Sequence, residues 1–114
     1  MTDCIFCKIL AGEIPSDKVL ETETVYAFRD INPQAPKHVL VIPKEHVASL
    51  EDLGSGHRDL AGDMVLAAQQ AARQEGVADS GYRTVINCGD EGGQDVAHLH
   101  MHMLGGRRMQ WPPG

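Results

Sequence analysis

Runs of apolar residues predict five β-strands in this chain. The runs lie at residues 19–21, 24–29, 39–42, 82–88 and 99–104. Each is bounded by glycine, proline or short polar residues, which favour turns. A tight turn at Thr22 and Glu23 joins the first two strands. The run at 39–42 has no polar interruption, so we expect that strand to be buried on both faces and to stop at Pro43.

Between Ser55 and Glu75 the apolar spacing changes to that of a helix. Ser55 is placed to cap its start, and Gly76 suits the position just after its end. Five strands around one long helix favour an α+β fold over a repeated βαβ unit, with a single domain over residues 1–114. The predicted buried stripe comprises Leu60, Met64, Ala67, Ala68, Ala71 and Gln74.

Composition narrows the possible partners. The chain has 114 residues, enough for one hydrophobic core. Its net charge of −6 disfavours nucleic-acid binding, although a locally positive pocket can still hold a small nucleotide. The longest aliphatic run, residues 39–42, is too short to cross a membrane, and residues 1–4 do not begin a signal peptide. We therefore expect a cytoplasmic protein that binds neither nucleic acid nor a membrane. We also expect no disulfide framework.

Three histidines at alternate positions are the strongest chemical signal in the sequence. On a strand, His98, His100 and His102 point to one face, and the apolar residues between and after them point to the other. Imidazole can act as a nucleophile, as a proton carrier or as a metal ligand. The alternatives are a row of structural histidines or a chance metal-binding tract. We interpret the row as catalytic because a buried opposite face makes the strand rigid.

Two further motifs bear on chemistry. Cys4 and Cys7 have a spacing that can hold zinc, but a closed structural site needs four ligands. A redox role would require a helix start within a βαβ unit, which the pattern does not predict. The glycine-rich segment 87–95 can turn backbone N–H groups toward a phosphate. It lacks the lysine of a P-loop, so an ordinary hairpin turn is the alternative.

The run His-Leu-His-Met-His-Met-Leu at 98–104 resembles the signature of the histidine-triad (HIT) family. Stretches at 3–9, 27–36, 38–44, 92–94 and 104–114 resemble the Hint branch of that family, in the same order. The resemblance implies a five-stranded antiparallel sheet that continues across a homodimer. It also implies hydrolysis of the P–N bond in AMP or GMP phosphoramidates, without an organic cofactor.

The resemblance assigns roles to individual residues. His100 would attack phosphorus and form a nucleotidyl-histidine, and His102 would stabilise the phosphoryl oxygens and help to protonate the leaving group. His38 would be a fourth active-site histidine, and Asp30 would accept hydrogen bonds from the ribose hydroxyls. The implied base pocket comprises Phe6, Ile9, Phe28, Ile31 and Leu40.

The phosphate-binding side contains one departure from the family. The resemblance places Asn87 and the backbone around Gly93 and Val96 against the phosphate. This branch usually has serine after Gly-Gly-Gln, whereas this chain has Asp95. A carboxylate repels a neighbouring phosphate, so we expect Asp95 to slow turnover relative to serine.

The resemblance also implies a metal site and a functional tail. Some bacterial relatives bind zinc through the N-terminal cysteines and two histidines, which correspond to Cys4, Cys7, His46 and His98 here. The tail at 105–114 would reach the partner subunit's active site, where Trp111 would help to select the leaving group.

Two other functions remain open from the sequence. One is hydrolysis of dinucleoside polyphosphates, as in the neighbouring Fhit branch, and the Hint-like tail argues against it. The other is a nucleotide-binding adaptor with vestigial catalysis. The intact triad argues against an adaptor, whereas Asp95 slightly favours it.

Overall fold

The five predicted strands form one antiparallel sheet in a computed structural model, which describes residues 4–114. Its order is β1-β2-β3-β5-β4, so β3 and β5 lie next to each other inside the sheet and β1 and β4 form its edges. Residues 1–3, within the segment where we expect no signal peptide, lie outside the described part. The strands are β1 (Lys18–Glu21), β2 (Val25–Arg29), β3 (Lys37–Pro43), β4 (Tyr82–Val85) and β5 (Met101–Gly105).

The predicted long helix is α2 (Arg58–Gln74). It begins three residues later than predicted, because residues Ser55–His57 form a 3-10 turn and no side chain caps the helix start. Gly76 has φ +78°, which confirms its predicted place just after the helix. No helix in the described part of the chain is long and apolar enough to cross a membrane.

A short helix, α1 (Ile5–Leu10), was not predicted. The Cys4 thiol accepts a hydrogen bond from the Cys7 backbone N–H at 3.3 Å and so caps its first turn. A second 3-10 turn, Leu50–Asp52, precedes α2. With only six residues, α1 is too short to show a helical period, and tertiary packing must stabilise it.

The two helices cover opposite faces of the sheet. Val39 and Val41 of β3 pack into the larger core cluster with α2, whereas Leu40 and Ile42 pack with Phe6 of α1. The prediction that this strand is buried on both faces is confirmed. Each such buried side chain contributes about 1.5–3 kcal/mol to the free energy of unfolding. Because it is packed on both faces, β3 is a rigid support for the two strands that pair with it.

The last strand is shorter than predicted. It begins at Met101 because the Leu99 N–H donates to the Val47 carbonyl and not to the sheet. His98 and His100 therefore lie in the segment just before β5, and only His102 lies within it. Pairing of β4 with β5 ends at Val85, so β4 also stops before the predicted Cys88.

Candidate active site and metal centre

The three alternating histidines lie beneath α1, on the sheet face opposite α2. His98 is fully buried and His100 is 3 % exposed. The Phe6 ring stands edge-on to both, with its centroid 5.8 Å from that of His98 and 5.2 Å from that of His100. On the other face, Leu99, Met101 and Met103 are buried, as their alternation predicted. Neither face of this segment is a solvated surface.

One hydrogen bond fixes the tautomer of His100. Its Nδ1 lies 2.7 Å from the His98 carbonyl oxygen, which can only accept, so the proton sits on Nδ1. The Nε2 atom then carries a lone pair.

The rings of His38 and His102 are joined by a hydrogen bond, and the proton position of each ring is fixed. The Gln34 backbone N–H donates to His38 Nδ1 at 3.0 Å, so the proton of His38 is on Nε2. That N–H donates to His102 Nδ1 at 2.9 Å, which places the His102 proton on Nε2. His102 Nε2 is buried and has no partner among residues 4–114. This N–H is therefore a buried donor that can bind an acceptor atom brought into the site.

Burial keeps these two histidines neutral. It lowers the pKa of His38, and Asp30, 3.6 Å from His38 Nε2, opposes the shift. It also lowers the pKa of His102, with additional lowering from His100 and His38. Both rings are therefore uncharged at neutral pH.

His100 and His102 open into a cavity of about 320 Å³. This volume lies in the range of about 300–1,000 Å³ that is typical of small-molecule sites. Its walls are mostly apolar. The lining comprises Ile5, Phe6, Ile9, Ile14, Pro15, Ser16, Phe28, Arg29, Asp30, Ile31, Leu40, Asp95, Val96, His100 and His102.

Four possible metal ligands converge at the N-terminal end of α1. Cys4 Sγ and Cys7 Sγ lie 3.3 and 3.6 Å from His98 Nδ1. His46 Nδ1 lies 3.4 Å from Cys7 Sγ and 3.1 Å from His98 Nδ1. All four ligand atoms lie within 4.8 Å of one another.

These separations fit a tetrahedral zinc ion. Usual zinc bond lengths put sulfur and nitrogen ligands about 3.5 Å apart, and two nitrogens about 3.3 Å apart. His98 Nε2 donates to the Pro43 carbonyl at 3.0 Å, so its Nδ1 lone pair points into the cluster. Burial, with help from Cys4, raises the pKa of the Cys7 thiol. A metal ion must displace that proton, so its affinity should rise with pH.

Comparison with known proteins identifies the family. The profile of the HIT domain matches residues 11–109. The chain belongs to the HIT family. A solved HIT family hydrolase from Legionella pneumophila has a TM-score of 0.95 and 48% identity, over 98% of this chain and 100% of that one. The prediction of a HIT-like fold from the resemblance is confirmed.

Three relatives show the range of names within the family. The 14 kDa zinc-binding protein of Zea mays is 52% identical over 96% of this chain and 87% of its own length. The purine nucleoside phosphoramidase of Escherichia coli is 48% identical over 92% of this chain and 88% of its own length. Adenylylsulfatase HINT1 of Arabidopsis thaliana is 48% identical over 96% of this chain and 76% of its own length.

The cavity next to His100 and His102 contains most of the residues that the sequence analysis assigned to nucleotide binding. Ile31 is fully exposed, so it lies at the mouth and not in the core. Asn87, Gly93 and Trp111 are not part of the lining. The Gly93 N–H donates to the Asp90 carbonyl, so it is not available to a phosphate in this conformation. The cavity residues that were predicted are Phe6, Ile9, Phe28, Asp30, Ile31, Leu40, Asp95, Val96, His100 and His102.

Several residues of the site were not predicted. Ile14, Pro15 and Ser16 line the cavity from the loop after α1. The Gln94 side chain bonds the carbonyls of Ala48 and Val96 and the N–H of Gly89, and so braces the segment before the histidines. The motif Gly-Gly-Gln was the available signal for this brace.

Arg29 has a structural role beside Asp30. Its guanidinium makes two bonds to Glu75, at 2.9 and 2.8 Å, and one to Asp17 at 3.0 Å. These carboxylates raise the pKa of Arg29, and Arg29 lowers that of Glu75. The pair ties the end of β2 to the residue that follows α2.

Proposed function

We propose that this HIT family hydrolase cleaves the P–N bond of purine nucleoside 5′-phosphoramidates, the AMP or GMP amides. The observation that carries the proposal is the pair of adjacent ring nitrogens at the cavity. His100 Nε2 presents a lone pair, and His102 Nε2 presents an unpartnered N–H. A phosphoryl group needs both a nucleophile and a donor to its oxygens. The purine nucleoside phosphoramidase of Escherichia coli, which is 48% identical, supports this choice.

In the first half of the reaction, His100 Nε2 attacks phosphorus. The N–P bond to the ring forms and the P–N bond to the amine breaks. The leaving nitrogen takes up one proton from solvent water and departs as the amine. The carbonyl of His98 holds the Nδ1 proton, which stabilises the positive ring of the nucleotidyl-histidine. The His102 N–H donates to a phosphoryl oxygen, where negative charge increases.

In the second half, water attacks the nucleotidyl-histidine and releases the nucleotide. Water supplies the new P–O bond and returns one proton, which balances the proton taken up by the amine. His38 keeps the His102 donor pointing into the site throughout, because its own Nδ1 is occupied by the Gln34 N–H. No organic cofactor is needed for either half.

The apolar part of the cavity accepts the purine, with Phe6, Phe28 and Leu40 on its walls and Ile31 at its mouth. Asp30 accepts hydrogen bonds from the ribose. One of its oxygens receives the Asn32 N–H at 2.9 Å, and the other lies 3.6 Å from His38 Nε2. Each carboxylate oxygen can accept more than one bond, so capacity remains for the ribose.

Asp30→Asn should lower kcat/KM for adenosine phosphoramidate by about tenfold, because hydrogen bonds to a charged group are worth about 1.5–3 kcal/mol. The loss should vanish with a 2′,3′-dideoxy substrate, which lacks the hydroxyls. Asp79→Asn, an exposed position outside the cavity, is the matched control. An equal loss with both substrates would contradict ribose recognition by Asp30.

The function itself is tested by comparing turnover of adenosine phosphoramidate and diadenosine polyphosphates. We expect a clear preference for the phosphoramidate. A preference for the polyphosphates would favour the Fhit-like function, and binding of AMP without any turnover would favour an adaptor.

We also propose a homodimer with a functional tail. The edge strand β4 presents unpaired backbone groups, which favour pairing with a second copy. The α2 side chains of Val65 and Leu66 are 57% and 61% exposed and give a partner apolar area. In the single chain Trp111 is 80% exposed, while Arg83 donates to the Gln110 carbonyl and lies 5.9 Å from the Trp111 ring. A partner's cavity would bury this ring.

Deletion of residues 109–114 should change the preference among amine leaving groups more than it changes AMP binding. The physical reason is that Trp111, followed by two prolines, can dock with little loss of entropy. Relative kcat/KM values across a panel of amines, with AMP affinity measured in parallel, check this. An unchanged panel after truncation would show that the tail plays no part.

Zinc is the metal that we propose for Cys4, Cys7, His46 and His98. The tetrahedral fit supports it, and the relative from Zea mays is named a zinc-binding protein. When bound, zinc would join α1 to the segment that carries His100 and leave no open coordination position for catalysis.

A further inference from the structure

Asp95 lies at the nucleophile without being bound to it. Its Oδ1 is 3.5 Å from His100 Nε2, and its side chain is 79% exposed. Since the His100 proton is on Nδ1, the ring nitrogen and the ionised carboxylate both present lone pairs. They cannot form a hydrogen bond in that state. The carboxylate therefore neither orients His100 nor is held by it, and it is free to turn.

We propose that Asp95 selects the leaving group by charge, so that amines carrying a cationic group react faster than amines carrying an anionic one. This inference rests on the proposed phosphoramidase function. Before attack, phosphorus must lie about 3–3.5 Å from Nε2, which is the distance that Asp95 now occupies. The carboxylate must turn aside as the phosphate enters. It then remains beside the departing amine, on the solvent side of the cavity.

The other charged residues of the lining do not offset Asp95. Arg29 is already paired with Glu75 and Asp17. Asp30 faces His38 and receives a backbone N–H. Among the described lining residues, Asp95 is therefore the charge at the nucleophile that has no opposite partner.

Coulomb's law sets the expected size of the effect. A unit charge about 6 Å away, at an effective dielectric constant of about 40, changes a rate about tenfold. Salt screens a charge this exposed, so the preference should shrink at high ionic strength. The bonds broken and formed are the same for every amine. Rate differences among amines of equal length therefore report the effect of the charge on the amine.

The test uses three adenosine 5′-phosphoramidates of equal chain length, made from 1,3-diaminopropane, propylamine and β-alanine. Their free ends are cationic, neutral and anionic. We expect kcat/KM of the wild-type protein to fall in that order, by about tenfold at each step. Asp95→Asn keeps the shape and removes the charge, and it should flatten the series. Asp95→Ser should do the same, and both variants should speed the neutral substrate, since the carboxylate opposes the anionic phosphate.

Glu91→Gln is the matched control, because Glu91 is exposed in the same loop and carries the same charge but does not line the cavity. It should keep the full wild-type preference, and 0.5 M salt should compress that preference in the wild type. Turnover with no dependence on amine charge would overturn the role of Asp95 while leaving the function intact. So would a preference that persists in Asp95→Asn. Failure to turn over any of the three substrates would instead overturn the proposed function, and this inference with it.

Discussion

His100→Ala is expected to abolish hydrolysis of adenosine phosphoramidate, with a loss of at least about 10³-fold in kcat. The reason is that neither of the other two triad histidines can attack phosphorus in its stead. His98 uses one ring nitrogen on the Pro43 carbonyl and turns the other into the cysteine cluster. His102 presents an N–H where a nucleophile needs a lone pair. The remaining site keeps its apolar walls, so AMP should still bind within a few fold of the wild-type affinity.

Two measurements separate this role from general damage to the site. Rapid-quench mass spectrometry of the wild-type protein should find one nucleotidyl group, mapped to His100 by peptide analysis. His57→Ala is the control, since His57 contacts Glu45 and Gly54 far along the chain from the triad. It should retain normal turnover. An adduct on His98 or His102, or near-normal turnover of His100→Ala, would contradict the assignment.

The sequence was sufficient to predict the face on which the histidines lie. Alternation with Leu99, Met101 and Met103 follows from the period of extended backbone, and it holds even though β5 begins only at Met101. The boundary was missed because it depends on a distant contact, the bond from the Leu99 N–H to the Val47 carbonyl. The local pattern of apolar residues predicts the face to which each side chain points. The ends of a strand depend instead on its backbone hydrogen-bond partners, which the local pattern does not contain.

The protonation pattern of the triad could be assigned only from the structure. All three rings have the same residue type and nearly the same spacing, but the proton position of each is set by a different neighbour, on Nδ1 in His100 and on Nε2 in His98 and His102. These neighbours are the carbonyls of Pro43 and His98 and the ring of His38. Two of the three are remote in sequence or carried on another strand, so no motif could have assigned the tautomers. The helix α1 was missed for a related reason, since it depends on packing against the sheet and on the Cys4 cap.

Replacing both cysteines, in a Cys4→Ser/Cys7→Ser variant, is expected to remove zinc and to destabilise the fold strongly. Elemental analysis of protein purified without added metal or chelator should find about one zinc per wild-type chain and less than about a tenth of that in the variant. Binding of structural zinc is worth about 10–16 kcal/mol in small zinc domains, and part of that energy stabilises the fold. We therefore expect a fall in Tm of at least about 10 °C, since about 1 kcal/mol shifts Tm by about 4–8 °C in a domain of this size.

Loss of zinc should also disturb the active site, because α1 contacts both the metal cluster and the triad. Cys4 caps this helix, and Phe6 on it packs edge-on against His98 and His100. Releasing the helix from His98 would loosen both the purine wall and the ring that attacks, so kcat/KM should fall along with Tm. Cys88→Ser is the matched control, because Cys88 is also a half-buried free thiol but lies outside the cluster. Chelator treatment of the wild-type protein should reproduce the fall in Tm and should leave the double variant unchanged. Full zinc content in the double variant, or a chelator effect of equal size in both proteins, would show that this cluster does not hold the metal.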